Sequence, residues 1–288
     1  MNKYSDILNL ITNRLDEISA FKPSEYSVLG EAQRYSLMSG GKHLRALILI
    51  QTALLGNVDI SKSIDFACAI EMVHTYSLIH DDLPEMDNDD LRRGVPTCHK
   101  KYGCDIALLA GDALLTKAFN LITQNTYFDA DIKLKAIRIL SDACGEHGML
   151  AGQVIDKISE NTKIDYPTLK LLHARKTGDM FLACVRIGAL LANLSDELTI
   201  SLSEYMTKLG LVFQIKDDIL DVTSTTEILG KNVNSDAKSD KSTFVSLLGI
   251  QKSEQLIEEN VSAAKDLVND LNNQFFIDLA DFFKNRNK

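Results

Sequence analysis

Tryptophan is absent from the 288 residues, which hold only four prolines and fifteen glycines. So little helix-breaking punctuation, in a chain dominated by leucine, isoleucine and alanine, favours helices. No stretch of any length alternates apolar and polar residues as a half-buried strand would. There is also no low-complexity linker and no internal repeat. The five cysteines are odd in number and lack C-x-x-C spacing; Cys98-His99 with Cys104 matches a zinc site poorly, so free thiols in a reducing cytosol are expected. An excess of positive charge is missing too. A net charge of -9 and a pI near 5.2 argue against nucleic acid as the main partner. Met1-Asn2-Lys3-Tyr4-Ser5-Asp6 lacks a basic region backed by an apolar stretch. The most apolar run, Ala46 to Leu55, falls short of the ~18 residues of a membrane span. It reads as a buried core helix, with no integral membrane segment, in a soluble, cytoplasmic protein.

What is present is helix after helix. Tyr4, Ile7, Leu8, Ile11, Leu15 and Ile18 follow the i, i+3, i+4, i+7 rule. Pro23 to Tyr26 gives a turn, and Ser39-Gly40-Gly41-Lys42 breaks the next helix before the apolar run. Helices are predicted over residues 64–82, 100–124 and 132–158, the last interrupted around Gly145 and Gly148. Another starts near Pro167, as proline prefers, and runs to about Leu194. A further helix covers 201–221, a polar loop 223–243, and two or three helices finish the chain. With 45% hydrophobic residues a large core can be buried. The expectation is a single all-α domain over residues 1–288, a bundle of roughly ten or more helices.

The 64–82 helix ends in Asp81-Asp82-Leu83-Pro84-Glu85-Met86-Asp87-Asn88-Asp89-Asp90, six carboxylates within ten residues, with Arg92-Arg93 directly after. Packed like charges raise one another's pKa unless something positive neutralises them. Oxygen ligands at this density suit Mg²⁺, which takes few protein carboxylates and shares its other positions with phosphates. A charge run alone is usually a solvated loop, but this one is anchored to the apolar Ile70–Ile79 stretch, and it has an echo. Leu209 to Ile215 leads into Lys216-Asp217-Asp218-Ile219-Leu220-Asp221, where Asp217 and Asp221 fall four apart on one helix face. Lys42, Arg45, Arg92 and Arg93 flank the first cluster or lie at breaks between helices; arginine offers phosphate a planar fork. Gly40-Gly41 lets backbone approach a ligand closely. His74 lies two helical turns before Asp81 on nearly the same face, though a lone helical histidine is more often core. Lys176-Thr177-Gly178 interrupts an apolar helix, and a buried lysine needs a partner.

On these motifs the chain resembles the trans-isoprenyl diphosphate synthases, most closely the bacterial farnesyl diphosphate synthases. The likeness runs from Gly40-Gly41-Lys42-His43-Leu44-Arg45 through both aspartate motifs to Arg286-Asn287-Lys288. It implies an isoprenoid-synthase-like bundle around a central active-site cavity, and a homodimer. Gly41, Lys42, Arg45, His74 and Arg93 are then matched to the diphosphate of isopentenyl diphosphate, and Arg92 to the allylic diphosphate. Lys176, Thr177 and Gln214 fall beside the leaving group, and Lys231 and Lys241 on a loop that closes over the substrate. Asp81, Asp82, Asp87, Asp217 and Asp221 are matched to Mg²⁺, three ions with substrate bound, Mn²⁺ being an alternative; Asp218 is counted with the catalytic set. Four residues separate Asp82 from Asp87, the bacterial-type spacing. Counting two instead makes Glu85 the third ligand, and the disruption expected at Pro84 favours Asp87. Gln153 and Asp156 match a further signature or simply pack helices; Asp112 reads as structural.

The implied reaction is Mg²⁺-dependent head-to-tail condensation of isopentenyl diphosphate with dimethylallyl and then geranyl diphosphate, giving (2E,6E)-farnesyl diphosphate. The growing tail should run back along the helix before Asp81, where Tyr76 and Ser77 are the chain-length candidates, Tyr76 as a floor. Geranyl or geranylgeranyl diphosphate synthases of the same family, and a partner subunit of a heteromeric synthase, are the alternatives. A class I terpene cyclase needs no second diphosphate site, and Lys42, Arg45 and Arg93 argue against it.

Overall fold

A computed structural model describes residues 2–223 and 242–286. Among these residues fourteen α-helices carry almost all the regular structure. The single ladder pairs β1 (Leu91–Arg92) antiparallel with β2 (Val95–Pro96) around Arg93 and Gly94, both at positive φ. The all-α expectation therefore holds. The described residues divide into two compact units, one of 2–138 and 190–192, the other of 139–189, 193–223 and 242–286.

The first unit holds α1 (Ser5–Ser19), α2 (Ser27–Leu37), α3 (Leu44–Leu54), α4 (Ile60–Asp81), α5 (Cys98–Tyr102), α6 (Cys104–Gln124) and most of α7 (Ala130–Cys144). Ile11 and Leu15 of α1 are fully buried, as their spacing predicts. In α3 residues Ala46 to Ile50 are all buried, which confirms a core helix. Helix α4 packs against α6 and α3, and starts four residues earlier than its sequence pattern. At 22 residues it is ~33 Å long, with Phe66 to Ile70 and Met72-Val73 in the core. The long apolar helix is α6, not α3: its mean hydropathy reaches 1.4 over 18 residues, enough by length and composition to cross a membrane. It packs against α4, α2 and α5 instead. The α4–α6 approach depends on Gly111, because a Cβ there would sit 2.1 Å from Nε2 of His80.

The second unit holds α8 (Met149–Ile158), α9 (Tyr166–His173), α10 (Asp179–Leu191, except its last residues), α11 (Asp196–Thr223), α12 (Phe244–Leu248), α13 (Ile250–Asp266) and α14 (Gln274–Asn285). Asp165 caps α9 by accepting the Thr168 amide, with Pro167 in the first turn. The helix expected to continue to Leu194 instead widens into a π-helical turn at Ala174–Gly178 before α10. Lys176 lies in that turn. Helix α11 is 28 residues long and packs against α13, α14 and the π-turn, where Gly210 faces Gly178. Its stripe of Leu202, Tyr205, Met206, Leu209 and Val212 is wholly buried.

Candidate active site

Helix α4 ends at Asp81, and the chain then curls back on itself. Leu83 carbonyl accepts the amides of Met86 (2.9 Å) and Asn88 (3.1 Å), and Asp81 carbonyl accepts the Asp87 amide at 2.9 Å. The curl ties Asp87 to the end of α4 while Glu85 points into an exposed turn. Asp81 is half-buried and Asp87 exposed. Asp82 is different: only 3% exposed, it accepts Nε of Arg92 at 2.9 Å and also bonds Nη2. Arg92 Nη2 reaches Asp89 Oδ2 at 3.1 Å as well. Burial pushes the Asp82 carboxyl above its usual range, with Arg92 opposing.

Beside this turn lies a cluster of positive charge. Gly41, at φ +141°, has the Arg93 guanidinium where a side chain would be; a Cβ would sit 2.9 Å from Cζ. Arg93 Nη1 bonds the Gly40 carbonyl. No carboxylate lies within ion-pair distance of Arg93 among the described residues. Loss of solvent pulls its pKa below the ordinary guanidinium value; Glu71 opposes this, and Arg92 and Arg45 reinforce it. His74 is held neutral, its pKa well below the usual imidazole value, by burial and the Arg45 charge against the pull of Glu71. Glu71, unremarked in the sequence, is the buried counter-charge. Its Oε2 lies 3.0 Å from His43 Nδ1 and its Oε1 accepts the Ala46 amide at 3.1 Å. Although burial penalises the anion, His43, His74 and Arg45 hold its pKa down to about 2. Its signal was a carboxylate inside an apolar helical run, one turn before His74. Arg45, His74, Arg92 and Arg93 are thus brought together, while Lys42 is exposed nearby in sequence. A cleft of about 340 Å³, open solvent included, is lined by Ser36, Thr75, Asp82, Arg92, Arg93 and Thr97 among others.

Tyr76 is buried, 4% exposed, with its ring edge-on to His80 at 5.7 Å. Ser77 bonds back to the His74 carbonyl at 2.9 Å. His80 Nε2 lies 3.0 Å from the Leu108 carbonyl and 3.8 Å from Asp112 Oδ1.

In the second unit Lys176 has its partner: Nζ bonds Asp156 Oδ2 at 2.7 Å. Gly152, one turn before Asp156 on α8, lets that helix meet the π-turn, since a Cβ there would fall 2.1 Å from the Lys176 backbone nitrogen. His173 lies among Asp156, Lys176, Asp217 and Gln214. Burial lowers its pKa to about 4, against Asp156 and with Lys176. Gln214 favours the protonated ring, yet neither ring nitrogen makes a hydrogen bond of ordinary geometry among the described residues. Gln214 is buried and Thr177 half-buried. Asp217, with its side chain 39% exposed, pairs with Arg286, whose guanidinium lies 3.8 Å from the Phe213 ring centroid. Asp218 is 5% exposed and accepts the Phe244 amide at 2.7 Å. Asp221 is also buried, at 4%. Lys231 and Lys241 lie outside the described residues. Sequence reasoning missed the partners Asp156, Arg286 and Phe244, which lie 20, 69 and 26 residues from the groups they bind.

No three His, Cys, Asp or Glu side chains converge as a ready-made metal cage among the described residues. Asp81 and Asp87 in the first unit, and Asp217 in the second, each offer an ion carboxylate oxygens on half-buried or exposed residues. That donor set fits Mg²⁺, which favours oxygen, keeps waters and takes few protein ligands.

A helical scaffold with a cluster of arginines and two aspartate doublets is of the class that handles metal-bound diphosphates. The chain belongs to the polyprenyl synthetase family, whose model matches residues 26–275. It is 44% identical over 268 residues to a farnesyl diphosphate synthase of Micrococcus luteus, covering 92% of this chain and 90% of that one. A geranylgeranyl diphosphate synthase of Cyanophora paradoxa is 42% identical over 258 residues, covering 88% of this chain and 86% of the relative. Among solved structures, a geranyltransferase of Helicobacter pylori in complex with magnesium and isoprenyl diphosphate has a TM-score of 0.86 at 32% identity. The match covers 99% of this chain and 96% of that one.

Proposed function

We infer that the protein is a prenyltransferase that joins isopentenyl diphosphate head-to-tail to dimethylallyl and then geranyl diphosphate, giving (2E,6E)-farnesyl diphosphate. The observation that carries this reading is the gathering of Arg45, Arg92 and Arg93 around a neutral His74, beside Asp81, with no carboxylate paired to Arg93 among the described residues. Surplus guanidinium charge of this kind is a diphosphate site.

In this reading Gly41, Lys42, Arg45, His74 and Arg93 hold isopentenyl diphosphate. Arg92, Lys176, Thr177 and Gln214 hold the allylic diphosphate, and Asp81, Asp87 and Asp217 bind magnesium, three ions with substrate present or Mn²⁺ in their place. Bound metal supplies Lewis-acid charge to the leaving diphosphate. Arg92 and Lys176 stabilise the negative charge that develops on it. The allylic carbon–oxygen bond breaks, the isopentenyl double bond attacks the cation, and the departing pyrophosphate accepts the proton that restores the alkene. Apolar helix walls keep water from quenching the cation. Asp82 and Asp221 stay with the metal set and Asp218 with the catalytic set; all three are buried, and Asp82 also holds Arg92 and Asp218 the Phe244 amide. In this reading residues 1–288 act as a single catalytic domain, in a homodimer.

Purified protein incubated with Mg²⁺, isopentenyl and dimethylallyl diphosphates should yield a C15 diphosphate, read by chromatography of the dephosphorylated alcohols. No elongation under any metal would sink the reading, and elongation only on adding a second subunit would make the chain half of a heteromer. The Cyanophora relative keeps a C20 product as the second reading, and Tyr76 is the residue that decides between them.

A further inference from the structure

Thr97 and His99 have no part in the roles assigned so far. Thr97 follows β2 and is 1% exposed. Its amide donates to the Asp90 carbonyl at 3.0 Å and its hydroxyl to the Asp89 carbonyl at 2.8 Å. Nδ1 of His99, a residue only 6% exposed, lies 3.1 Å from the same hydroxyl oxygen. A threonine hydroxyl has one hydrogen to give, and here the Asp89 carbonyl, an obligate acceptor, takes it. The imidazole must therefore be the donor, with a proton on Nδ1; in the neutral ring that leaves a bare lone pair on Nε2. Nε2 is shielded from solvent and meets no hydrogen-bond partner among the described residues.

The bond closes a relay. His99 holds Thr97, Thr97 holds the Asp89 backbone, and the Asp89 side chain holds Arg92, whose Nε is fixed at 2.9 Å by Asp82. We propose that His99 is a positioning residue for Arg92, acting as its Nδ1–H tautomer through Thr97 and Asp89. Arg92 has a long side chain with several rotatable bonds, and fixing it before an anion arrives lowers the cost of binding. The consequence for allylic diphosphate rests on the prenyltransferase reading; the tautomer does not.

Two measurements decide the matter on the full-length protein. Long-range ¹H–¹⁵N correlation spectra of ¹⁵N-histidine-labelled wild type, assigned against His99→Gln, should show His99 protonated on Nδ1 and unprotonated on Nε2 near neutral pH. In calorimetry with Mg²⁺ and dimethylallyl diphosphate, His99→Asn, whose amide N–H takes the place of Nδ1–H, should bind within about threefold of wild type. His99→Gln, whose amide falls where Nε2 stood, and His99→Ala should each bind about tenfold more weakly, the scale of one buried hydrogen bond. An Nε2–H tautomer overturns the proposal, as does Gln rescuing binding as well as Asn. If wild type fails to bind the diphosphate at all, the prenyltransferase reading falls, while the tautomer spectrum still decides the geometry at His99.

Discussion

Asp81-Asp82 and Asp217-Asp218 are the same dipeptide in two settings. The first sits where a helix ends, so the chain can curl and bring Asp87 back to Asp81. The second sits within α11, where the backbone cannot curl and neighbouring elements supply the partners. In both, the leading aspartate stays partly exposed while the following one is buried. The buried partners differ: Asp82 meets a guanidinium, Asp218 a backbone amide. An ion pair needs the negative charge, whereas an amide donor needs only an acceptor oxygen. The doublets therefore divide labour alike, yet tolerate neutralisation differently.

The largest effect should come from the leading positions. Asp81→Ala and Asp217→Ala should each lower kcat/KM by about 10³-fold or more, on the scale of losing preorganised charge stabilisation. A variant retaining a tenth of wild-type turnover would remove its doublet from the chemistry. The trailing positions sharpen the contrast. Asp82→Asn leaves Arg92 without its buried counter-charge and should destabilise the fold by roughly 3 kcal/mol. Asp218→Asn keeps an acceptor for the Phe244 amide and should cost under about 1 kcal/mol; equal losses in denaturant melts would break the distinction.

The surroundings of α11 respond to pH. His173 stays neutral in the fold because burial holds its pKa near 4, while the unfolded chain takes up a proton near ~6.5. Stability is therefore full above about pH 6.5 and declines as pH falls toward about 4, by roughly 3 kcal/mol. In metal-free buffer, His173→Phe, which keeps the stack on Phe244, should flatten melting temperature against pH across that window. An unchanged slope would assign the loss to other groups, His74 among them. A further change, in product and not in stability, is expected at the buried face of α4. Tyr76→Ala should shift product partition toward C20 by about tenfold, ~1.4 kcal/mol, and an unchanged C15 profile would show that the ring is no floor.

Much of this was legible in the sequence because helices announce themselves locally. The spacing of Ile11 and Leu15 and the apolar run after Ala46 fixed where those helices lie and what they bury. The gathering of Arg45, His74, Arg92 and Arg93 was legible only through resemblance, since their spacing carries no geometry across a turn. The π-turn at Lys176 was not legible, because a widened helical turn and an ordinary one have nearly the same residue pattern. Nor were the buried destinations of Asp82 and Asp218. In a string of letters, adjacent aspartates look equivalent.

The sequence by itself determined the helical class, the carboxylate and arginine chemistry, and the helices that carry both, because helical periodicity and charge density are local properties. Only the tertiary structure decided which carboxylates keep solvent exposure and which are buried, and which of them meet Arg92, Arg286 or a backbone amide. Those pairings join residues as much as 69 positions apart. Burial makes each bond both possible and necessary, and it exists only once the chain has packed.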